Sequence, residues 1–135
     1  HTYSLDRNFA GTGANNFEIQ KAGTVQLRVD ANGNGIFTGD VQAYSDERLK
    51  DNIQTLDGKK ALQMRGVSFT RDGRPSSGVI AQEVEKIAPE LVMTADDAMG
   101  TKSVAYGNLV GYLIETVKDQ QAQIDELKAM IKKVA

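Results

Sequence analysis

The chain has no cysteine, and that absence removes disulfides, thiolate catalysis and cysteine-built zinc sites together. Its one histidine, His1, stands at the extreme terminus, where chains fray, so no histidine-based active site is expected. An enzyme made from these 135 residues must draw its reactive groups from Ser, Thr, Lys, Asp, Glu and Tyr. Long apolar runs are missing too. None approaches the roughly 18 residues that a membrane-spanning helix needs, and no charged-then-apolar leader opens the sequence. Neither a membrane partner nor secretion by its own signal is expected. A basic excess is also lacking: 16 Lys and Arg against 18 Asp and Glu leave a net charge of −2. Phosphate-backbone binding rests on many cationic contacts, so nucleic acid is not an expected partner.

What is present, 40% hydrophobic and 25% charged residues, falls in the range of a soluble globular domain. The texture changes along the chain. Residues 1–44 are punctuated by Gly11, Gly13, Gly23, Gly33, Gly35 and Gly39 and show no helical period. Val25, Leu27 and Val29 alternate with Gln26, Arg28 and Asp30, the period of a half-buried strand; Asn32-Gly33-Asn34-Gly35 then supplies residues that accept positive φ, and a second strand is expected over Ile36–Val41. So few strands bury too little apolar area to stand alone, which predicts a core shared with neighbouring copies.

From Ser45 the composition turns charged, with Asp46, Glu47, Arg48, Lys50 and Asp51 close together, and a domain boundary is expected between residues 44 and 45. Beyond it the pattern predicts a short helix over residues 58–64, strands at Val67–Arg71 and Ser77–Ala81 around Asp72-Gly73, and a helix over Gln82–Ile87 stopped by Pro89. A further strand pair, Leu91–Thr94 with Lys102–Tyr106, is expected across the Asp96-Asp97 loop. The fold class predicted is α+β: a β-structured segment, then a small mixed domain over 45–135.

The last stretch, 106–135, carries the sharpest signal. Val110, Leu113, Val117, Gln120, Ile124, Leu127, Ile131 and Val134 are spaced 3,4,3,4,3,4,3, a heptad seam with Gln120 as its one polar position. A strict 3.5 period favours packing against copies of the same helix; a helix folded back on its own domain would show a wider stripe of period 3.6. β-Branched residues at a with Leu at d lean by themselves towards two strands, so the seam does not fix a trimer, while Gln120 is expected to pin its register.

With cysteine and a usable histidine absent, serine with lysine is the most economical nucleophile and base, and Ser45 and Lys50 are the candidates at the domain boundary. A serine followed closely by a lysine is commonplace, and taken alone the spacing is better explained by a solvated turn. The flanking residues add more. SDERLKDNI (Ser45–Ile53) preceded by DANGNGIFTGDVQAY, GVIAQEVEKIAPELV (Gly78–Val92), and Val-Ala-Tyr (104–106) leading into the last helix together resemble the intramolecular chaperone domain of phage endosialidases, tail spikes and tail fibres, the peptidase S74 pattern.

The resemblance implies a C-terminal folding template that trimerises, registers the fibre upstream in the same chain, and frees itself by cutting before the Ser of its SDxxxK motif. Carried over, the scissile bond is Tyr44–Ser45, with Ser45 as nucleophile and Lys50 as general base. Residues 1–44 are then the end of a fibre shaft. The resemblance further implies assembly in the bacterial cytoplasm, a fibre part carried in the virion tail, a released chaperone part, and neither cofactor nor metal.

A lysine whose ordinary value is ~10.4 serves as a base near pH 7 only after roughly 4–5 kcal/mol of desolvation or like-charge repulsion, which an unfolded chain does not supply. Asp46 and Glu47 are candidate supporting residues, although a carboxylate beside the lysine would oppose the base role and a plain surface charge run fits them as well. Gln82 and Glu83 match the second motif and either line the site, make a subunit contact or start a helix. Two other classes remain in view: a non-cleaving trimeric fibre tip or adhesin, and a self-cleaving Ser–Lys regulator of another fold, which the coiled coil and the β segment disfavour.

Overall fold

Short apolar alternations separated by residues that tolerate positive φ build hairpins, and the computed structural model, which describes residues 3–7 and 16–135, opens with a meander of them. β1 (Tyr3–Arg7), β2 (Phe17–Lys21), β3 (Thr24–Val29) and β4 (Gly35–Phe37) form one antiparallel sheet in that order. Ala22 (φ 49°) and Gly23 (φ 79°) make the two-residue turn between β2 and β3, whose twist suits an antiparallel pair. Between β3 and β4 the Asp30 carboxylate accepts the N–H groups of Asn32 (2.8 Å) and Asn34 (2.9 Å), with Gly33 at φ 79°. β4 is shorter than the expected Ile36–Val41 because its pairing with β3 ends at Leu27↔Phe37, after one more bond from Thr38 to the Gln26 carbonyl.

This sheet belongs to the first of two compact units, His1–Asp51 and Asn52–Ala135. Its one buried side chain among the described residues is Glu18, 7% exposed, which receives Arg28 Nε from the facing position of β3 at 2.7 Å and Gln20 Nε2 at 2.8 Å. Phe17, Val29, Ile36 and Phe37 remain largely exposed. The sheet gains no apolar core from the described residues of its own unit, as the strand pattern predicts.

In the second unit, Asp57 caps a 3₁₀ helix over Gly58–Gln63 by accepting the Lys59 N–H. β5 (Val67–Arg71) and β6 (Arg74–Gly78) follow, joined by Asp72 (φ 51°) and Gly73 (φ 74°). That two-residue turn pairs Arg71 with Arg74, so the returning strand starts at Arg74 and not at Ser77. α1 (Ala81–Ile87) stops before Pro89, which opens a 3₁₀ turn to Leu91. β7 (Val92–Thr94) pairs with β8 (Lys102–Val104), and a 3₁₀ turn over Tyr106–Asn108 leads into α2 (Leu109–Val134), so the long helix starts three residues later than expected. The architecture is α+β with a long C-terminal helix.

Val84, Ala88, Leu91 and Tyr112 form the core, with Ala61, Met64, Val79, Val92 and Leu109 packed around them. The 3₁₀ helix touches α2 so closely that a Cβ on Gly58 would lie 2.5 Å from the Glu115 carbonyl carbon and the Thr116 nitrogen. Thr116 Oγ1 donates to the Gly58 carbonyl there at 2.5 Å. α2 spans 26 residues, about 39 Å at 1.5 Å per residue, yet only its first two turns lie on this core. Tyr112 and Thr116 are its buried residues; every residue from Val117 onward is exposed.

Candidate active site at Ser45 and Lys50

The segment from Thr38 to Tyr44 has no regular structure, and Tyr44 stands 98% exposed. Immediately after Ser45 the chain winds into one 3₁₀ turn, Glu47–Leu49. Asp46 at its N-cap accepts the Arg48 N–H on Oδ1 at 2.9 Å, and Leu49 N–H and Lys50 N–H return to the carbonyls of Asp46 and Glu47. Lys50 leaves the turn in extended geometry (φ −128°, ψ 136°), and its Nζ lies 2.7 Å from Ser45 Oγ. Five residues of sequence separation thus become a direct hydrogen bond because one tight turn folds the second side chain back over the first.

The neighbouring carboxylate does not contact Lys50. Asp46 receives Arg48 as a fork, Nε on Oδ1 at 2.9 Å and a terminal guanidinium nitrogen on Oδ2 at 2.6 Å. The Arg48 side-chain and backbone hydrogen bonds hold the Asp46 carboxyl below its usual range, with a smaller contribution from the charge of Lys50. Glu47 lends the turn its carbonyl. Ser45, Asp46, Arg48 and Lys50 are all exposed, so the pair sits in open solvent in a single copy.

Gln82 and Glu83 belong to the second unit. Gln82, in the first turn of α1, borders an open cleft with Phe69, Arg71, Val79, Ser103 and Tyr106. Glu83 pairs with Arg65 at 2.5 Å, which holds its carboxyl low. Tyr106 of the Val-Ala-Tyr segment accepts the Val79 N–H on its hydroxyl at 3.2 Å, tying that segment to the second motif. One pair went unforeseen: the buried Tyr112 donates to the carboxylate of the exposed Glu90, an arrangement that pushes the Tyr112 hydroxyl up to about 12 and holds Glu90 low. Arg48 was likewise read only as one charge in a run. The seam side chains Val110, Leu113, Val117, Ile124, Leu127, Ile131 and Val134 are between 45% and 87% exposed, and Gln120 is exposed beside them. No cluster of acidic or histidine side chains suited to a metal occurs among the described residues.

A turn that joins serine to lysine by a hydrogen bond, on a charged segment between a coreless sheet and a small α+β unit with a long bare helix, has a match among known families. Residues 45–93 match the Peptidase_S74 family model, described as chaperone of endosialidase. The chain is 31% identical over 119 residues to the long tail fiber protein Gp37 of Salmonella phage S16, covering 76% of this chain and 15% of that protein. It is 25% identical over 138 residues to the proteins of the same name from Enterobacteria phages K3 and T2, covering 84% of this chain and 11% and 10% of theirs. The chain therefore spans a small fraction of the relatives it resembles.

Proposed function

We propose that this chain is the chaperone end of a phage tail fibre: three copies associate through α2, set the register of the fibre shaft, and then cut themselves at Tyr44–Ser45 with Ser45 as nucleophile and Lys50 as general base. The observation that carries the reading is the 2.7 Å contact between Lys50 Nζ and Ser45 Oγ, within reach for direct proton transfer. With the lysine neutral the same contact reverses, and Nζ accepts the hydroxyl proton as Oγ attacks the Tyr44 carbonyl carbon. The Tyr44 C–N bond breaks, the Ser45 nitrogen leaves as an amine with a proton, and an ester joins Tyr44 to Ser45 Oγ. Water then hydrolyses the ester, leaving a Tyr44 carboxylate and the serine hydroxyl restored.

Exposure links the cut to assembly. A solvated lysine is a poor base near neutral pH, and in one copy the whole segment is open to water; the desolvation that the chemistry requires arrives when copies assemble. The bare α2 seam is the surface on which that assembly begins, and its length beyond the core argues against a helix that serves only its own unit. Once the ends are held together, pairing of shaft strands becomes effectively intramolecular, and removing the template afterwards leaves a shaft trapped by a high unfolding barrier. Assembly in the bacterial cytoplasm and delivery of the shaft to the virion tail complete the reading.

The test is intact-mass spectrometry of natively folded protein. The expected result is two fragments, 1–44 and 45–135, from the parent, and one whole chain from Ser45→Ala and from Lys50→Met. Equal scission in Lys50→Met, or in denatured parent, overturns the reading. The relatives are named long tail fiber proteins, which favours a second reading, a permanent uncut fibre tip; whole parent chains indistinguishable from Ser45→Ala would establish it.

A further inference from the structure

The turn that joins Ser45 to Lys50 contains a cation and an anion that the proton transfer itself does not use. The Asp46 carboxylate is adjacent in sequence to the nucleophile and close enough to Lys50 for their charges to interact. Unopposed, it would favour the ammonium form of the lysine and work against the base. In the structure it is engaged three times over by Arg48, through the backbone N–H and both arms of the guanidinium fork. We propose that Arg48 is a positioning residue for self-cleavage: by binding the Asp46 carboxylate bidentately it locks the 3₁₀ turn that brings Lys50 to Ser45, and it keeps that carboxylate from pairing with Lys50. This inference rests on the Ser–Lys reading above.

The geometry separates the two halves of the role. The backbone cap, Arg48 N–H to Asp46 Oδ1, needs only an oxygen at position 46 and survives in Asn. The fork needs the guanidinium, whose planar donors match a carboxylate as lysine's point charge does not. The other charged groups of the segment are Glu47 and Asp51; among the described residues neither is within ion-pair distance of Lys50, and its Nζ hydrogen-bonds to no side chain but Ser45. Because the site is open in one copy, the competition is mild there. It sharpens when assembly excludes water and lowers the local dielectric, which is when the base must act.

The experiment is the pH dependence of the scission rate, followed by intact mass on the 135-residue chain for the parent, Arg48→Ala, Asp46→Asn and the double variant, with Ser45→Ala and Lys50→Met as references. Arg48→Ala is expected to cut about tenfold more slowly at pH 7, with its profile moved about one unit to the alkaline side, as a freed carboxylate beside a lysine dictates. Asp46→Asn shows no alkaline shift, and adding Asp46→Asn to Arg48→Ala returns the profile to the parent's pH position, without recovering the part of the rate that the fork supplies by holding the turn. Rescue by removing a charge is something a merely structural role would not produce. An Arg48→Ala profile superimposable on the parent's overturns the inference, as does a slower rate with an unshifted profile that Asp46→Asn leaves uncorrected. If parent and Lys50→Met behave alike, the Ser–Lys reading falls and takes this inference with it; if they differ and Arg48→Ala matches the parent, the role of Arg48 alone falls.

Discussion

Tyr112 is buried to 2% exposure and spends its hydroxyl on Glu90, so core packing and an ionisable contact meet in one side chain. Because the hydrogen bond holds the Glu90 carboxyl low, its contribution is complete above the ordinary carboxylate range and is lost as pH falls through the depressed value. The raised Tyr112 hydroxyl reports the same bond from the other side, with stability present up to about pH 10 and lost as pH rises through about 12. Tyr112→Phe keeps the ring and removes the bond. Its expected cost is about 1 kcal/mol at pH 7, shrinking towards zero in acid, measured as the difference in denaturation midpoint between pH 7 and pH 3. This pair was illegible in the sequence, since residues 22 apart meet only through the packing of α2 beside the Pro89–Leu91 turn. Ser45 and Lys50 were legible as candidates, but their direct contact depends on the turn geometry set by Asp46 and Arg48.

At the scale of elements, the Gly58–Gln63 3₁₀ helix meets the backbone of α2 at Gly58. Gly58→Ala places a methyl group 2.5 Å from backbone atoms of Glu115 and Thr116, which have no rotamer by which to yield. The expected loss is about 1–3 kcal/mol in chemical denaturation, well beyond what an exposed Gly→Ala change brings. α2 also carries a second, separable face. Leu127→Asp falls on a residue 58% exposed in one copy, so it should leave the circular dichroism of the helix near the parent's while reducing the mass found by sedimentation to that of one chain. Unchanged association would remove α2 from the assembly surface. Strand and helix periods made most elements readable, including α1 and its stop at Pro89, whereas β1 and β2 went unread and the start of β6 was displaced by three residues. The misplacement at β2 and β6 comes from two-residue turns, Ala22-Gly23 and Asp72-Gly73, whose positive φ values set register more tightly than hydrophobic alternation alone reveals.

On the scale of the whole molecule, the described chain keeps much apolar area in the open: Phe17, Ile36 and Phe37 on the sheet, and the seam from Val110 to Val134 on the helix. Set against four buried hydrophobic residues among those described, surface of that kind is what the proposed association would cover. Denaturation midpoints should therefore rise with protein concentration, as they do when folding and association are linked, and the rise should vanish in Leu127→Asp. A midpoint independent of concentration in the parent would mean that each copy is stable alone. The α+β class and the long helix were readable because their periods are local.

Tyr44, with nearly its whole surface in water on a strand-free stretch, offers an aromatic residue to any passing chymotrypsin-like protease. A contaminant of that kind would clip Lys50→Met as readily as the parent, and it would do so faster in dilute, unassembled protein. The proposed self-scission would run the other way, quickening as copies crowd together, so the sign of the dilution effect would tell an intruder's cut from one the molecule makes itself.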